Sequence, residues 1–142
     1  MIISVLTARK GSKRIKNKNI RLFNNKPIIS YPIKQIIKKK IFRRNFISTD
    51  SKKIEKISKK LEIESLILRD KRLSDDNTGV IKVVKNFIQI LNKKKIFPKY
   101  VCCVFPTAVF FRSLDLKKAL KILKKNESIE YVFSAHQIDK SF

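Results

Sequence analysis

Apolar runs of strand length alternate with amphipathic stretches of helix length along almost the whole chain, and that alternation constrains the fold most. Residues 2–8 read as a buried strand that ends in a basic loop, residues 9–19. Pro27 then opens a helical pattern with Ile29, Ile33, Ile36 and Ile37 on one face. Phe46, Ile47 and Ser48 form a short strand. Asp50 or Ser51 can cap the next helix, whose inner stripe is Ile54, Ile57, Ser58 and Leu61. Leu66, Ile67 and Leu68 read as a third strand. After a polar loop, a further helix turns Ile81, Val84, Phe87, Ile88 and Leu91 inward. Residues 100–105 read as a central strand buried on both faces. Ser113 or Asp115 caps a helix through Ala119, Leu120 and Leu123, and residues 131–134 make a last strand. The pattern predicts an α/β protein: three layers, α/β/α, around a mostly parallel sheet, in one domain over residues 1–142.

Charge raises the question of partners. Lys and Arg total 35 against 11 acids, a formal net charge of +24. That balance fits a polyanion, either nucleic acid or a phosphate-rich small molecule. However, 27 of the 35 cations are Lys and 22 further residues are Ile, as an AT-rich coding sequence would give. Much of the charge therefore belongs to solvated faces. No RRM, KH or helix-turn-helix signature is present, so the expectation is non-specific polyanion binding and no specific nucleic acid. Phe105, Phe110 and Phe111 read as core flanking a buried strand rather than as a base-stacking platform.

Cys102 and Cys103 are neighbours inside an apolar run. On a strand they point to opposite faces, which suits neither a disulfide nor a metal site. His136, the single histidine, has no partner at a catalytic spacing. No apolar stretch approaches the ~18 residues of a membrane span. The N-terminus carries no signal-peptide pattern, so the expected location is cytoplasmic.

In an open α/β sheet, ligands bind beyond the carboxyl ends of the strands. The loop after the first strand is therefore the first candidate site. It holds cations at positions 9, 10, 13, 14, 16 and 18, no acid, and one glycine, Gly11. Successive backbone N–H groups in such a turn form an anion-binding concavity, for which a polyphosphate is the natural guest. Neither GxxxxGK[ST] nor GxGxxG is present.

Ala8-Arg9-x-Gly11-Ser12-Lys13-x-Ile15-x-x-Lys18-Asn19-Ile20 resembles the nucleotide-binding signature of the acylneuraminate cytidylyltransferases. Four more blocks match in order: residues 26–31, residues 46–50, residues 68–79 with Leu73-Ser74-Asp75-Asp76, and residues 102–108. The last two look most like the pseudaminic acid branch. The resemblance implies a Rossmann-like nucleotide-diphospho-sugar transferase fold and transfer of CMP from CTP to a nonulosonic acid, with release of pyrophosphate. Under it, Arg9 and Lys18 hold the triphosphate. Gly11, Ser12 and Asn19 cradle phosphates or orient the reacting oxygen. Ala8 contacts the base through its backbone, Arg69 and Thr78 lie beside cytosine and ribose, and Pro106 and Thr107 close over the nucleoside. It further implies Mg²⁺, with no metal ligands assignable in this sequence, and a homodimer in longer relatives.

Those relatives extend well past this length. The resemblance thus implies an N-terminal part that carries the nucleotide site, incomplete at its C-terminus. An inactive CTP-binding remnant is the alternative, and a basic nucleic-acid-binding protein a more distant one. Lys10 stands where the family has a second Gly, Lys16 and Asp70 replace prolines, and Val80 replaces a hydroxyl.

Overall fold

In the computed structural model, which describes residues 1–135 and 137, the chain divides into two units, Met1–Phe111 and Arg112–Phe142. The first runs β1 (Ile2–Thr7), β2 (Leu22–Phe23), β3 (Lys26–Pro27), α1 (Ser30–Lys38), β4 (Arg44–Ser48), α2 (Lys52–Lys60), α3 (Val80–Lys93) and β5 (Tyr100–Val104). The second contains α4 (Ser113–Lys125).

The sheet has the order β4-β1-β5, and both pairings are parallel. Side chains alternate across it, as strand geometry requires. Ile3 and Val5 join Phe46, Phe87 and Leu91 on the α3 face. Leu6 and Ala8 join Ile29, Ile33, Ile36, Ile47 and Ile54 on the face covered by α1 and α2. The three-layer α/β/α arrangement is therefore present. Ser4 is fully buried within it, and its hydroxyl donates to Asn45 Oδ1 at 2.7 Å. That bond answers the cost of burying a hydroxyl. Cys102 packs against one core and Cys103 against the other, as strand alternation predicts. Burial pushes the Cys102 thiol up to about 12 and the Cys103 thiol up as well, which keeps both protonated and unreactive.

Several expectations need correction. Residues 100–105 do not form the central strand: β1 is central and β5 lies at the edge of the three strands, with only Val104 fully buried. A continuous apolar run marks burial potential but does not fix a strand's place in the sheet. Leu66, Ile67 and Leu68 form no strand. The fourth chain segment meets β4 two residues earlier, through a single parallel bridge between Glu64 and Phe46. Two backbone bonds make the bridge, from the Ile47 N–H to the Glu64 carbonyl and from the Glu64 N–H to the Asn45 carbonyl, both at 2.9 Å, and the Arg44 guanidinium pairs with Glu64 beside them. The helix after Pro27 begins at Ser30, because Pro27 pairs with Leu22 in the small β2–β3 ribbon. In α3, Ile81 is 76% exposed and Val83 is buried instead. Residue 81 lies in the first turn, two positions before the core-facing stripe at 83, 87 and 91.

Phe105 and Phe110 are exposed, at 54% and 87%, and only Phe111 packs against the core. Both rings lie beyond the end of β5, in the irregular segment 105–111. In the second unit, α4 is capped at Arg112, whose N–H donates to Asp115 Oδ2 at 3.1 Å, so neither Ser113 nor Asp115 is the cap residue itself. Residues 131–134 form no strand. His136 lies outside the described residues.

Candidate active site

Because β4, β1 and β5 run parallel, the segments that follow them emerge at one edge of the sheet. The loop after β1, residues 49–50 after β4, and the turn at Pro106 and Thr107 after β5 therefore share that edge. The segment 69–79 joins them: the Arg69 N–H donates to the Thr49 carbonyl at 2.7 Å. A cavity of about 430 Å³ opens between the β1 loop and this segment. Lys10, Gly11, Ser12, Asp50, Ser74 and Asp75 are among its lining residues.

The β1 loop is held by named contacts. Ala8 is buried, and its N–H donates to the Ser48 carbonyl at 3.0 Å, so the carbonyl is the backbone group it has left to offer. Asn19 is buried and donates from Nδ2 to the Arg9 carbonyl at 2.9 Å, which ties the end of the loop to its start. The Lys10 N–H donates to Asp50 Oδ1 at 2.6 Å, across from β4. Asp50 is thus a brace for the loop, while Ser51 caps α2 by accepting from the Ile54 N–H. Lys10 has no positive φ, so the loss of a second glycine strains nothing. Gly11 has none either, and a Cβ added there would meet nothing within 4 Å. The left-handed residue of the loop is Asn17, with φ 55°, a conformation that asparagine tolerates better than most residues.

The cations differ in how they are held. Arg9 donates from Nη1 to the Asp75 carbonyl at 2.5 Å and pairs through Nη2 with Asp76 at 2.6 Å. Lys13 reaches the other oxygen of Asp76 at 2.7 Å. Lys18 is exposed and makes no ion pair among the described residues. Arg69 is only 8% exposed, makes no ion pair among the described residues, and its Nε donates to Ser74 Oγ at 3.0 Å. Burial lowers its pKa from the usual arginine value, with Asp50 opposing and Arg9 reinforcing that shift. A buried guanidinium is costly unless something accepts its N–H groups. Sequence reasoning placed Arg69 here but had no signal for its burial, which follows from the anchoring of its backbone to Thr49.

Thr78 is half-buried, and its N–H donates to Asp75 Oδ1 at 2.6 Å. Pro106 is buried and Thr107 exposed, in a turn closed by the Ala108 N–H on the Phe105 carbonyl. Of the predicted residues, Gly11 and Ser12 line the cavity, Asn19 is bonded to Arg9, Arg9 to Asp75 and Asp75 to Thr78, while Arg69 is bonded to Thr49 and to Ser74, itself a lining residue. The structure places Pro106 and Thr107 at the same edge by topology.

The aspartates of segment 69–79 are all held below the usual carboxylate range. Asp70 is lowered by its side-chain bond to Arg72, Asp75 by Thr78, and Asp76 by Lys13 and then Arg9. A carboxylate whose folded pKa is depressed contributes stability above its unfolded pKa and loses it as pH falls through the folded value. The melting temperature should therefore hold between about pH 7 and 5 and fall below about pH 4. Thermal melts followed by circular dichroism will check this. A flat profile down to about pH 2 would show that these carboxylates do not stabilise the fold.

A family profile described as cytidylyltransferase matches residues 3–141. The pseudaminic acid cytidylyltransferase of Campylobacter jejuni subsp. jejuni serotype O:2 is 35% identical over 96% of this chain and 59% of that protein. A Helicobacter pylori protein, described as a pseudaminic acid cytidylyltransferase joined to a UDP-sugar hydrolase, is 35% identical over 98% of this chain and 26% of its own length. This chain therefore spans between about a quarter and three fifths of those relatives. Among solved structures, CMP:2-keto-3-deoxy-manno-octonic acid synthetase complexed with CTP superposes with a TM-score of 0.72 at 16% identity, over 90% of this chain and 49% of that one. That likeness establishes the Rossmann-like fold. With the profile covering nearly every residue and two relatives at 35% identity, the chain belongs to the cytidylyltransferase family.

Proposed function

We propose that this chain carries the CTP site of an enzyme that transfers CMP to a nonulosonic acid, in particular pseudaminic acid. The observation that carries the reading is the buried Arg69, which makes no ion pair among the described residues, beside a loop of cations at the carboxyl edge of a parallel sheet. In this reading the anomeric hydroxyl of the sugar acid attacks the α-phosphorus of CTP. A new C–O–P linkage forms as the hydroxyl gives its proton to solvent, the bond from the α-phosphorus to the bridging oxygen breaks, and pyrophosphate leaves with the electron pair. Arg9 and Lys18 neutralise the triphosphate and the departing pyrophosphate. Gly11 and Ser12 offer N–H and hydroxyl donors, and Asn19 holds the loop that presents them. Arg69 and Thr78 face the base and ribose, Ala8 offers its carbonyl, and Pro106 and Thr107 close the nucleoside side. Such transfer needs positioning and charge neutralisation more than covalent help.

Mg²⁺ fits the described residues poorly as an all-protein site. No three of His, Cys, Asp and Glu converge among them. Asp50 and Asp76 are already engaged by Lys10, Arg9 and Lys13. No step above passes through a metal. No helix among the described residues is long and apolar enough to cross a membrane. A cytoplasmic location, where CTP is made, belongs to this proposal, as does a dimer of the longer protein.

Calorimetric titration of the 142-residue chain with CTP, ATP and tripolyphosphate tests the site. CTP should bind tighter than either competitor, since Arg69 and the β5 turn read the nucleoside while the β1 loop reads the phosphates. Equal affinity for CTP and ATP would remove the cytidine reading. Pyrophosphate release from CTP with pseudaminic acid, against other nonulosonic acids, tests the acceptor.

A further inference from the structure

Asp76 divides its carboxylate between two loop cations. Arg9 Nη2 lies 2.6 Å from Oδ1, and Lys13 Nζ lies 2.7 Å from Oδ2. An oxyanion with two oxygens, each on a separate charged donor, occupies the arrangement that two oxygens of a phosphate group adopt between an arginine and a lysine. The cluster is not locked in the core. The Lys13 side chain is 83% exposed and that of Asp76 37%. The cluster's chain neighbours Lys10, Ser12 and Asp75 line the cavity.

We propose that Arg9 and Lys13 form a single anion subsite, that the Asp76 carboxylate fills it in the nucleotide-free chain, and that a phosphate group of the incoming nucleotide takes the place of that carboxylate. The inference rests on the CTP reading above and deepens it. It gives Lys13 a phosphate contact and makes Asp76 an internal competitor. The exchange conserves charge pairing: one anion leaves the two cations for water as another leaves water for them. It also gives the unliganded loop a reason to stay folded, because six cations within residues 9–18 would otherwise repel one another.

Displacement would be felt beyond the loop. Asp75, next to Asp76, accepts from the Asn77 and Thr78 N–H groups, and its carbonyl accepts from Arg9. Entry of phosphate at Arg9 therefore bears on the backbone that places Thr78. Binding at the phosphate end is coupled to the shape of the nucleoside end through one tripeptide, Asp75-Asp76-Asn77.

The test is Asp76→Asn in the full 142-residue chain, titrated with tripolyphosphate and with CTP at fixed pH and salt. Removing the competing charge should tighten both ligands by about tenfold, the scale of a charge-assisted contact. Adding Lys13→Gln should abolish most of that gain. Asp76→Ser serves as a second variant, and thermal melts confirm that each remains folded. Unchanged or weaker binding in the folded variants would overturn the proposal and make Asp76 a brace that pre-positions Arg9. A gain for tripolyphosphate, with CTP binding no tighter than tripolyphosphate, would keep the subsite and sink the nucleotide reading. Absence of binding by either ligand to any form would sink both.

Discussion

Phe46→Ala should destabilise the chain by about 3–5 kcal/mol, the range for truncating a buried aromatic side chain. Phe46 is fully buried at the centre of the α3-side core, with Ile3, Val5, Phe87 and Leu91 around it. Its ring lies 5.5 Å from that of Phe87, and the Arg44 guanidinium sits 4.8 Å from its centroid. Three contributions are lost together: transfer of the ring from water, the aromatic pair, and the contact that helps orient Arg44 toward Glu64. The β1-facing side of α3 cannot collapse into the gap without moving a helix that is tied to β1. Denaturant unfolding should show a lower midpoint with the slope unchanged. A loss under about 1 kcal/mol would mean that this core repacks freely and is not close-packed. Ile47→Val, one residue on and facing the other core, should cost only about 0.5–1.5 kcal/mol.

Much of that core was legible in the sequence because period and burial coincide. Ile29, Ile33 and Ile36 recur at helical spacing and are all buried. Ile54 and Ser58 do the same in α2. The misplaced features share a physical cause. Residues 100–105 and residues 66–68 are apolar enough for strands, but strand order and register depend on partners distant in sequence, and hydropathy does not encode them. The bridge at Glu64 is made by backbone bonds to Asn45 and Ile47, 19 and 17 positions away.

The site divides in the same way. Its location followed from the alternation of elements and the cation-rich loop. The acids were harder. Asp50 reads in the sequence as a helix cap but braces the loop, Asp75 holds a turn, and Asp76 pairs with Arg9 and Lys13. The contacts of Asp50 with Lys10 and of Asp76 with Arg9 join residues 40 and 67 positions apart, so no local spacing could announce them.

Arg9→Ala and Lys18→Ala should each weaken CTP binding by about 1.5–3 kcal/mol, roughly 10- to 150-fold, as expected for a hydrogen bond to a charged group. The two variants should differ in stability. Lys18 is exposed and unpaired among the described residues, so its removal should leave the melting temperature within about a degree, as for most surface substitutions. Arg9 braces segment 69–79 through the Asp75 carbonyl and the Asp76 carboxylate. Arg9→Ala should therefore also lower the melting temperature and leave Lys13 as the remaining cation on Asp76. The double variant should lose less than the sum of the single losses, because both side chains meet the same triphosphate and its remaining charge redistributes among the other loop cations. Lys52→Ala is the control. Lys52 is exposed at the start of α2 and lies outside the proposed site, and its loss lowers the net charge by the same single unit. If Lys52→Ala weakened CTP binding as much as Lys18→Ala, the ligand would be responding to overall charge rather than to a site. If both loop variants bound CTP as the parent chain does, the triphosphate would have to lie elsewhere. The carboxyl edge of the sheet would then lose its assignment.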